Sequence, residues 1–433
     1  MSILQLPNEL LLQIASTMEE SHIFALLRVN RRLSNLLLPC LYSYNIQYNR
    51  GSALPQCAEN GLEEQVRYML ALNADVNSVD DEDRSALSQA AGHGHLALTQ
   101  LMLDLKADPD QLSIDQRSPL SYAAEHGHLQ LVQLLIDHGT NVDQMDMDGM
   151  SILHYAAFEG HQDIVKLLIF HGADADVMGH DYLDHTTGTP LSEAARGGQE
   201  AIARILLDLG ADVNAGDDTG MSPLHYAARA GQGGPLKESH MCTPGTVPTA
   251  ASPGPGAYTD DPGDSMTPSR CGKPRDYLAT VKLLIARGAN VQLLVDDLYG
   301  NTHGTALYSA AWSGAGDIVR LLIDARADVN TERPPAGKSP LWAAAYRGHE
   351  TLLDMLLYSG ARIRYEPHHA RPLHAAAENG HVGVIEKLLA NGVNVNATNT
   401  CNQTPLELAI QKKRTTAAQL LIAHGGVKSG DNK

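Results

Sequence analysis

The chain has 433 residues, of which 50 are acidic and 32 basic, for a formal charge of −18. That balance argues against a nucleic-acid binder, which needs clustered Lys and Arg to neutralise phosphate, and against docking on an anionic membrane surface. No apolar run reaches the ~18 residues of a membrane helix, and the first residues lack a basic stretch and carry Glu9, so neither a span nor a signal peptide is expected. The five cysteines (Cys40, Cys57, Cys242, Cys271 and Cys401) are scattered and form no C-x-x-C, which points away from a disulfide framework or a zinc ribbon. The expected compartment is the cytoplasm, the nucleus or both.

In chain order, Pro7 suits the opening of a first helix, LPNELLLQIASTM (6–18), with Leu10, Leu11, Ile14, Ala15 and Met18 on one face. Ser21 can cap a second helix, HIFALLRVN, and a third begins near Arg31 and is interrupted at Pro39. Residues 1–50 carry a net charge of +1 and the rest of the chain −19, so the two parts differ in character.

From residue 52 a repeat takes over. A triplet SAL, SPL or TPL recurs from Ser52, Ser85, Ser118, Ser151, Thr189, Ser222, Thr305, Ser339 and Thr404, with the variant RPL at Arg371. Most anchors lie 32–34 residues apart. Each anchor Ser or Thr can cap a helix, with Pro at its first position and an alanine pair for close packing. A glycine then stops that helix, and a second helix carries Leu, Ile and Val at helical spacing. One such unit cannot bury its apolar face alone, so the units must stack. The last copy lacks the glycine (Ile410-Gln411-Lys412-Lys413) and turns polar, as suits the end of a stack.

Copies such as SILHYAAFEGHQDIVKLLIFHGAD (151–174) resemble the ankyrin repeat, and the resemblance covers residues 52–428. It implies an all-α solenoid of about ten repeats with hairpin-like fingers along one edge. The N-terminal residues Leu6-Pro7, Glu9-Leu10, Ile14, Leu26, Val29 and Arg31-Arg32-Leu33 resemble an F-box, so a small three-helix F-box-like domain is expected over residues 1–46. The pattern departs from the commonest form at Asn30, where Cys is usual, and at Leu33, where Trp is usual. The F-box resemblance implies docking on the Skp-type linker of a cullin–RING ubiquitin ligase through Leu6, Pro7, Leu10, Ile14, Leu26, Val29 and Leu33. The plainer alternative is a helical cap on an ankyrin scaffold or inhibitor protein with no ligase link.

The pairs of histidines in AAGHGHL (90–96) and AAEHGHL (123–129) raise the question of metal binding. Thirteen of the 20 histidines fall in four columns of the repeat, among them His95, His128, His161, His349 and His381 in one and His154, His225 and His374 in another. Equivalent side chains on stacked helices run parallel and do not converge to the ~2.0–2.1 Å that zinc requires. A scaffold role is expected, with no metal and no cofactor. His180 and His185, beside Asp181 and Asp184, are the residual metal candidates.

Recognition is expected where the repeat is broken or decorated. Residues 232–276 form an insertion in the sixth repeat; 24 of its 45 residues are Pro, Gly, Ser or Thr, which reads as disorder or as a gene-model artefact. It holds three Ser/Thr-Pro sites for phosphorylation, Thr243, Ser252 and Thr267, and residues 429–433 read as a disordered tail. Two fingers are longer than the rest and present Tyr182 and Tyr299. On the first helices, one column holds Tyr122, Tyr155 and Tyr226, and another, three residues on, holds Phe158, Trp312 and Tyr346, with Arg196, Arg229 and Arg347 nearby. By resemblance this face lines the concave groove, where such residues serve either as a target-binding hot spot or as packing between helices. Trp342 replaces a column histidine and reads as structural. The acidic run Asp80-Asp81-Glu82-Asp83 reads as a solvated loop or as a surface for a basic patch on the target. No phosphate loop, H-E-x-x-H, nucleophile elbow or dinucleotide fingerprint occurs, so a non-catalytic, monomeric adaptor is expected.

Overall fold

The computed structural model describes residues 53–179, 188–217, 219–230, 276–296, 302–332, 338–363 and 372–429. The expected domain over 1–46 and nearly all of the 232–276 insertion lie outside the described residues. The described chain forms ten helix pairs: α1 (Ala53–Glu59) with α2 (Glu63–Ala71), α3 (Ala86–Gly92) with α4 (Leu96–Asp104), α5 (Pro119–Glu125) with α6 (Leu129–Asp137), α7 (Ile152–Glu159) with α8 (Gln162–Phe170), and α9 (Pro190–Arg196) with α10 (Glu200–Asp208). There follow α11 (Pro223–Ala230) with α12 (Tyr277–Ala286), α13 (Ala306–Ser313) with α14 (Gly316–Asp324), α15 (Pro340–Arg347) with α16 (Glu350–Tyr358), α17 (Pro372–Asn379) with α18 (Val382–Ala390), and α19 (Pro405–Gln411) with α20 (Thr415–Ala423). The all-α solenoid of ten repeats is thus in place. One finger adds a short antiparallel ladder, β1 (Val295–Asp296) with β2 (Thr302–Gly304).

The anchors cap as their chemistry dictates. The hydroxyls of Ser85, Ser118, Thr189, Thr305, Ser339 and Thr404 each accept the backbone N–H three residues on. Proline fills the first turn of α5, α9, α15 and α19, where its missing N–H costs nothing. The alanine pairs, such as Ala123-Ala124 and Ala227-Ala228, have no exposed surface and let neighbouring first helices approach closely. Nine of the ten second helices bury residues spaced i, i+1 and i+4, for example Ile164, Val165 and Leu168 on α8, whereas α2 buries Val66 and Met69. Every such aliphatic side chain removed from water contributes roughly 1.5–3 kcal/mol before conformational costs. First helices touch along the whole stack, whereas second helices meet more sparsely. A stack held more tightly along one row bends toward it, so the first helices and fingers line the inner side.

The paired glycine and histidine have a common explanation. The His128 Nε2 lies 3.0 Å from the Gly92 carbonyl of the preceding repeat; His95, His161, His349 and His381 reach Glu59, Glu125, Trp312 and Tyr346 in the same way. Gln199 and Arg414 substitute in their repeats, reaching the carbonyls of Phe158 and Glu378. Each of these side chains lies over the turn glycine of the repeat before it: a Cβ on Gly348 would stand 2.5 Å from the His381 ring. The glycine is therefore needed for its left-handed backbone (φ 80° at Gly348) and for the room it leaves. Between α19 and α20, Lys413 takes the left-handed turn at φ 58° in place of the glycine.

A second set of bridges runs between finger bases. Asn77, Asn214, Asn330 and Asn396 each accept, through Oδ1, a backbone N–H of the next repeat at 2.8 Å. Two expected boundaries shift at their edges. Asp276 belongs to the repeat, because its side chain caps α12 by accepting the Ala279 N–H at 2.8 Å. Ser429 belongs to the last repeat, because its N–H and hydroxyl both donate to Glu407.

Candidate binding groove

The inner face carries two columns of side chains on the first helices, four and seven residues past each anchor, and the fingers stand above them. Of the residues expected there, Tyr122, Tyr155, Phe158, Tyr226, Trp312 and Tyr346 are all half-buried on this face. Tyr182 and Tyr299, the phosphorylation candidates Thr243, Ser252 and Thr267, the linker-contact set Leu6, Pro7, Leu10, Ile14, Leu26, Val29 and Leu33, and the loop histidines His180 and His185 lie outside the described residues.

The two halves of the face differ. In the N-terminal half the side chains satisfy one another. Arg117, in the finger before α5, lies between the rings of Tyr122 and Tyr155, 4.4 and 4.2 Å from their centroids, and pairs with Glu125 at 2.5 Å. The Tyr122 hydroxyl donates to Ser113, that of Tyr155 to Asp146, and that of Tyr226 to Asp217. Burial raises the Tyr155 hydroxyl pKa, and burial also raises that of Asp146 although the Tyr155 hydroxyl and the Met150 N–H donate to it. In the ninth helix the tyrosine column holds Glu193, which is buried and pairs with Arg196 at 3.2 Å. Burial raises its pKa, more than Arg196 lowers it. Arg196 in turn covers the Phe158 ring at 5.0 Å.

The C-terminal half is built differently. Tyr308 and Trp312 on α13 and Trp342 and Tyr346 on α15 form a stacked quartet. Trp312 lies 5.4 Å from Tyr346 at an interplanar angle of 13°, and Trp342 lies 4.9 Å from Tyr346 at 23°. Tyr308 and Trp342 are buried beneath, and Trp312 and Tyr346 are half-exposed above. Two cations border the rings: the Arg347 guanidinium lies 5.3 Å from the Trp312 centroid and the Lys338 ammonium 4.6 Å from that of Trp342. Sequence reasoning found Trp312 and Tyr346 but not the quartet. Tyr308 and Trp342 both stand three residues past the anchor, and that shared departure from the histidine column was the available signal.

The column histidines are structural. His154 is fully buried, with Nδ1 accepting the Ser151 N–H at 3.1 Å and Nε2 at 3.2 Å from the Gly188 carbonyl. Serines replace it elsewhere in the column, as Ser88 on Ser85 and Ser121 on Ser118. No group of three or more His, Cys, Asp or Glu able to hold a metal occurs among the described residues. Finger carboxylates serve the turns: Asp75, Asp108, Asp174, Asp212 and Asp328 each accept the backbone N–H two residues on. Burial opposes the charge of Asp80, yet hydrogen bonds from Arg84, Gln89 and the Glu82 backbone prevail and lower its pKa.

The hydroxyl–imidazole pairs Ser151–His154 and Ser222–His225 are buried at the starts of α7 and α11, and the groove itself offers rings, cations and a long inner surface. No curated protein gives a significant match to the chain. The family model for ankyrin repeats (3 copies) matches residues 87–179, 178–234, 272–367 and 341–432. Those stretches cover more than half of the chain, in register with the helix pairs described above. With its ten stacked helix pairs, capped anchors and projecting fingers, the chain belongs to the ankyrin-repeat family.

Proposed function

We propose that this ankyrin-repeat protein is the substrate receptor of an SCF-type cullin–RING ubiquitin ligase. Ankyrin arrays are in general non-catalytic surfaces for binding proteins, and an adaptor role follows from the array alone. The finer reading rests on one observation: the F-box-like residues Leu6, Pro7, Leu10, Ile14, Leu26, Val29 and Leu33 stand immediately before that array. In this reading the N-terminal helices hold the Skp-type linker, the inner face holds a target protein, and the other subunits transfer ubiquitin to a target lysine. The chain acts by raising the effective concentration of the target at the transfer site, in the cytoplasm or the nucleus. Each apolar contact residue contributes roughly 1.5–3 kcal/mol on burial, before the cost of association, which is enough for a specific interface.

Co-purification with the Skp-type linker tests this. Wild type retains the linker, and Leu6→Asp with Leu10→Asp loses it while the far-ultraviolet circular dichroism of the array is unchanged. A wild-type chain that never captures the linker removes the ligase reading and leaves a scaffold.

A further inference from the structure

We propose that the inner face from α11 to α15 binds an extended acidic peptide segment of a partner protein, with an apolar or aromatic side chain seated on Trp312 and Tyr346 between carboxylates that meet Arg229 and Arg347. The inference rests on the adaptor reading, not on the ligase assignment, and names the chemistry of the partner.

The argument starts from which cations are already used. On the same inner face, Arg84 pairs with Asp80 and Glu82, Arg117 with Glu125, and Arg196 with Glu193. Arg229, at the seventh position past its anchor, and Arg347, at the eighth, have no ion pair among the described residues. Arg229 and Arg347 thus place two positive charges without an ion pair among the described residues on one face of a chain of formal charge −18. The Lys338 ammonium lies 4.6 Å from the Trp342 ring centroid.

The second observation is the floor between them. Trp312 and Tyr346 are half-exposed, nearly parallel and backed by buried rings, so their positions are fixed by packing before any ligand arrives. Rigid aromatic side chains lose little entropy on binding and are favoured anchors. A guanidinium over a ring offers donors to a carboxylate while its flat face stays on the ring. Arg229, Trp312 and Tyr346 belong to one column on α11, α13 and α15, and Arg347 follows Tyr346. Neighbouring helices lie roughly 8–10 Å apart, so the backbones that carry Arg229 and Arg347 are separated by about 16–20 Å, and the Arg347 guanidinium reaches back toward α13 over the Trp312 ring. An extended chain rises about 3.3 Å per residue, so carboxylates roughly three to six residues apart would reach both arginines, with an apolar residue between them at the rings. A nucleic acid is disfavoured because its continuous phosphate charge would face the acids of the N-terminal half.

The test is fluorescence anisotropy with the full chain and three labelled ten-residue peptides: one of glutamates with a central phenylalanine, one with alanine for that phenylalanine, and one with lysine for every glutamate. The first peptide should bind, the alanine peptide about tenfold more weakly, and the lysine peptide not measurably. Arg229→Glu with Arg347→Glu should weaken the first peptide at least tenfold, and the exposed Arg347→Glu alone should weaken it without lowering the melting temperature. The proposal is overturned if the first peptide does not bind, if the lysine peptide binds as well, if the double variant binds normally, or if single-stranded DNA displaces the peptide at equal concentration. Linker capture is measured separately, so loss of the ligase reading leaves this result standing.

Discussion

The buried His154 makes the stability of the array depend on pH in a calculable way. Its Nδ1 accepts both the Ser151 N–H and the Ser151 hydroxyl, at 3.1 and 2.7 Å, leaving the proton on Nε2, which donates to the Gly188 carbonyl. A second proton would have to sit on Nδ1, against a donor already there and in a site with no exposed surface. Burial accordingly lowers the pKa from 6.5 to about 4, the Gly188 carbonyl opposing only part of the effect. The folded state therefore binds its proton later than the unfolded state. The full contribution is present above about pH 6.5, shrinks as the unfolded chain protonates below that, and levels off near pH 4. The drop from 6.5 to about 4 corresponds to ~3 kcal/mol in all, and to ~2 kcal/mol lost by pH 5. His154→Gln removes the titration, so the stability advantage of wild type over the variant in urea unfolding should fall by ~2 kcal/mol between pH 7.5 and 5. An advantage that stays constant over that range, or an imidazole NMR titration with a midpoint above pH 6, would refute the reasoning.

Three further outcomes follow from the same geometry. His161→Ala should lower stability by about 1–2 kcal/mol, because it orphans the Glu125 carbonyl, whereas His161→Gln should cost under ~1 kcal/mol, since Gln199 already does this task; thermal melts of both distinguish them. Gly348→Ala places a Cβ 2.5 Å from the His381 ring, while Gly360→Ala, at a similarly positive φ of 91°, meets open space; Gly348→Ala should be the more destabilising by at least ~1 kcal/mol, and equal melting temperatures would exclude a role for the ring. Glu193 has a raised pKa, so its ionised form weakens the fold as pH rises through and above the usual carboxylate range; Glu193→Gln should be neutral or stabilising by up to ~1 kcal/mol at pH 7, and a clear loss in a urea titration would show that its charge is needed.

The register of the whole array was legible because each unit repeats the same local chemistry: a hydroxyl cap, an alanine pair, a left-handed turn and an apolar second helix. The scaffold role of His95 and His128 was legible from their column, but their partners were not. The hydrogen bond from His128 to Gly92 joins residues 36 apart, and nothing local in the sequence encodes that span. The same holds for Asn77, which reads as an ordinary turn residue until it is seen to accept the Asp108 N–H. Tyr122, Tyr155 and Tyr226 were found by spacing, yet their hydroxyl partners sit in the fingers nine residues earlier, where flexible sequence hides a fixed contact. Arg117 escaped notice because it occupies a finger position where other repeats place Met150 or Met221. Trp342 reads as structural and is indeed buried, but it also supports Tyr346 and carries Lys338 over its ring. The short ladder of β1 and β2 belongs to a finger whose added length was visible, although its pairing was not.

A repeat protein shows its binding chemistry by the columns it fails to complete internally. In the N-terminal half the hydroxyls of Tyr122 and Tyr155 are bonded to neighbouring fingers, and the arginines beside Tyr122 and Phe158 have carboxylate partners. A ligand there must break an existing bond for each one it makes, which leaves little net gain. At α13 and α15 the position that elsewhere bonds the anchor hydroxyl holds Tyr308 and Trp342, so side chains that would close the repeat instead raise a floor of rings. The Arg347 guanidinium lies 5.3 Å from the Trp312 ring centroid, without an ion pair among the described residues. There a ligand carboxylate replaces only water, and the rings supply apolar area already ordered. The difference between the halves thus lies in how many bonds a partner must break, and it is the reason the proposed peptide site falls on the C-terminal half even though aromatic residues line both.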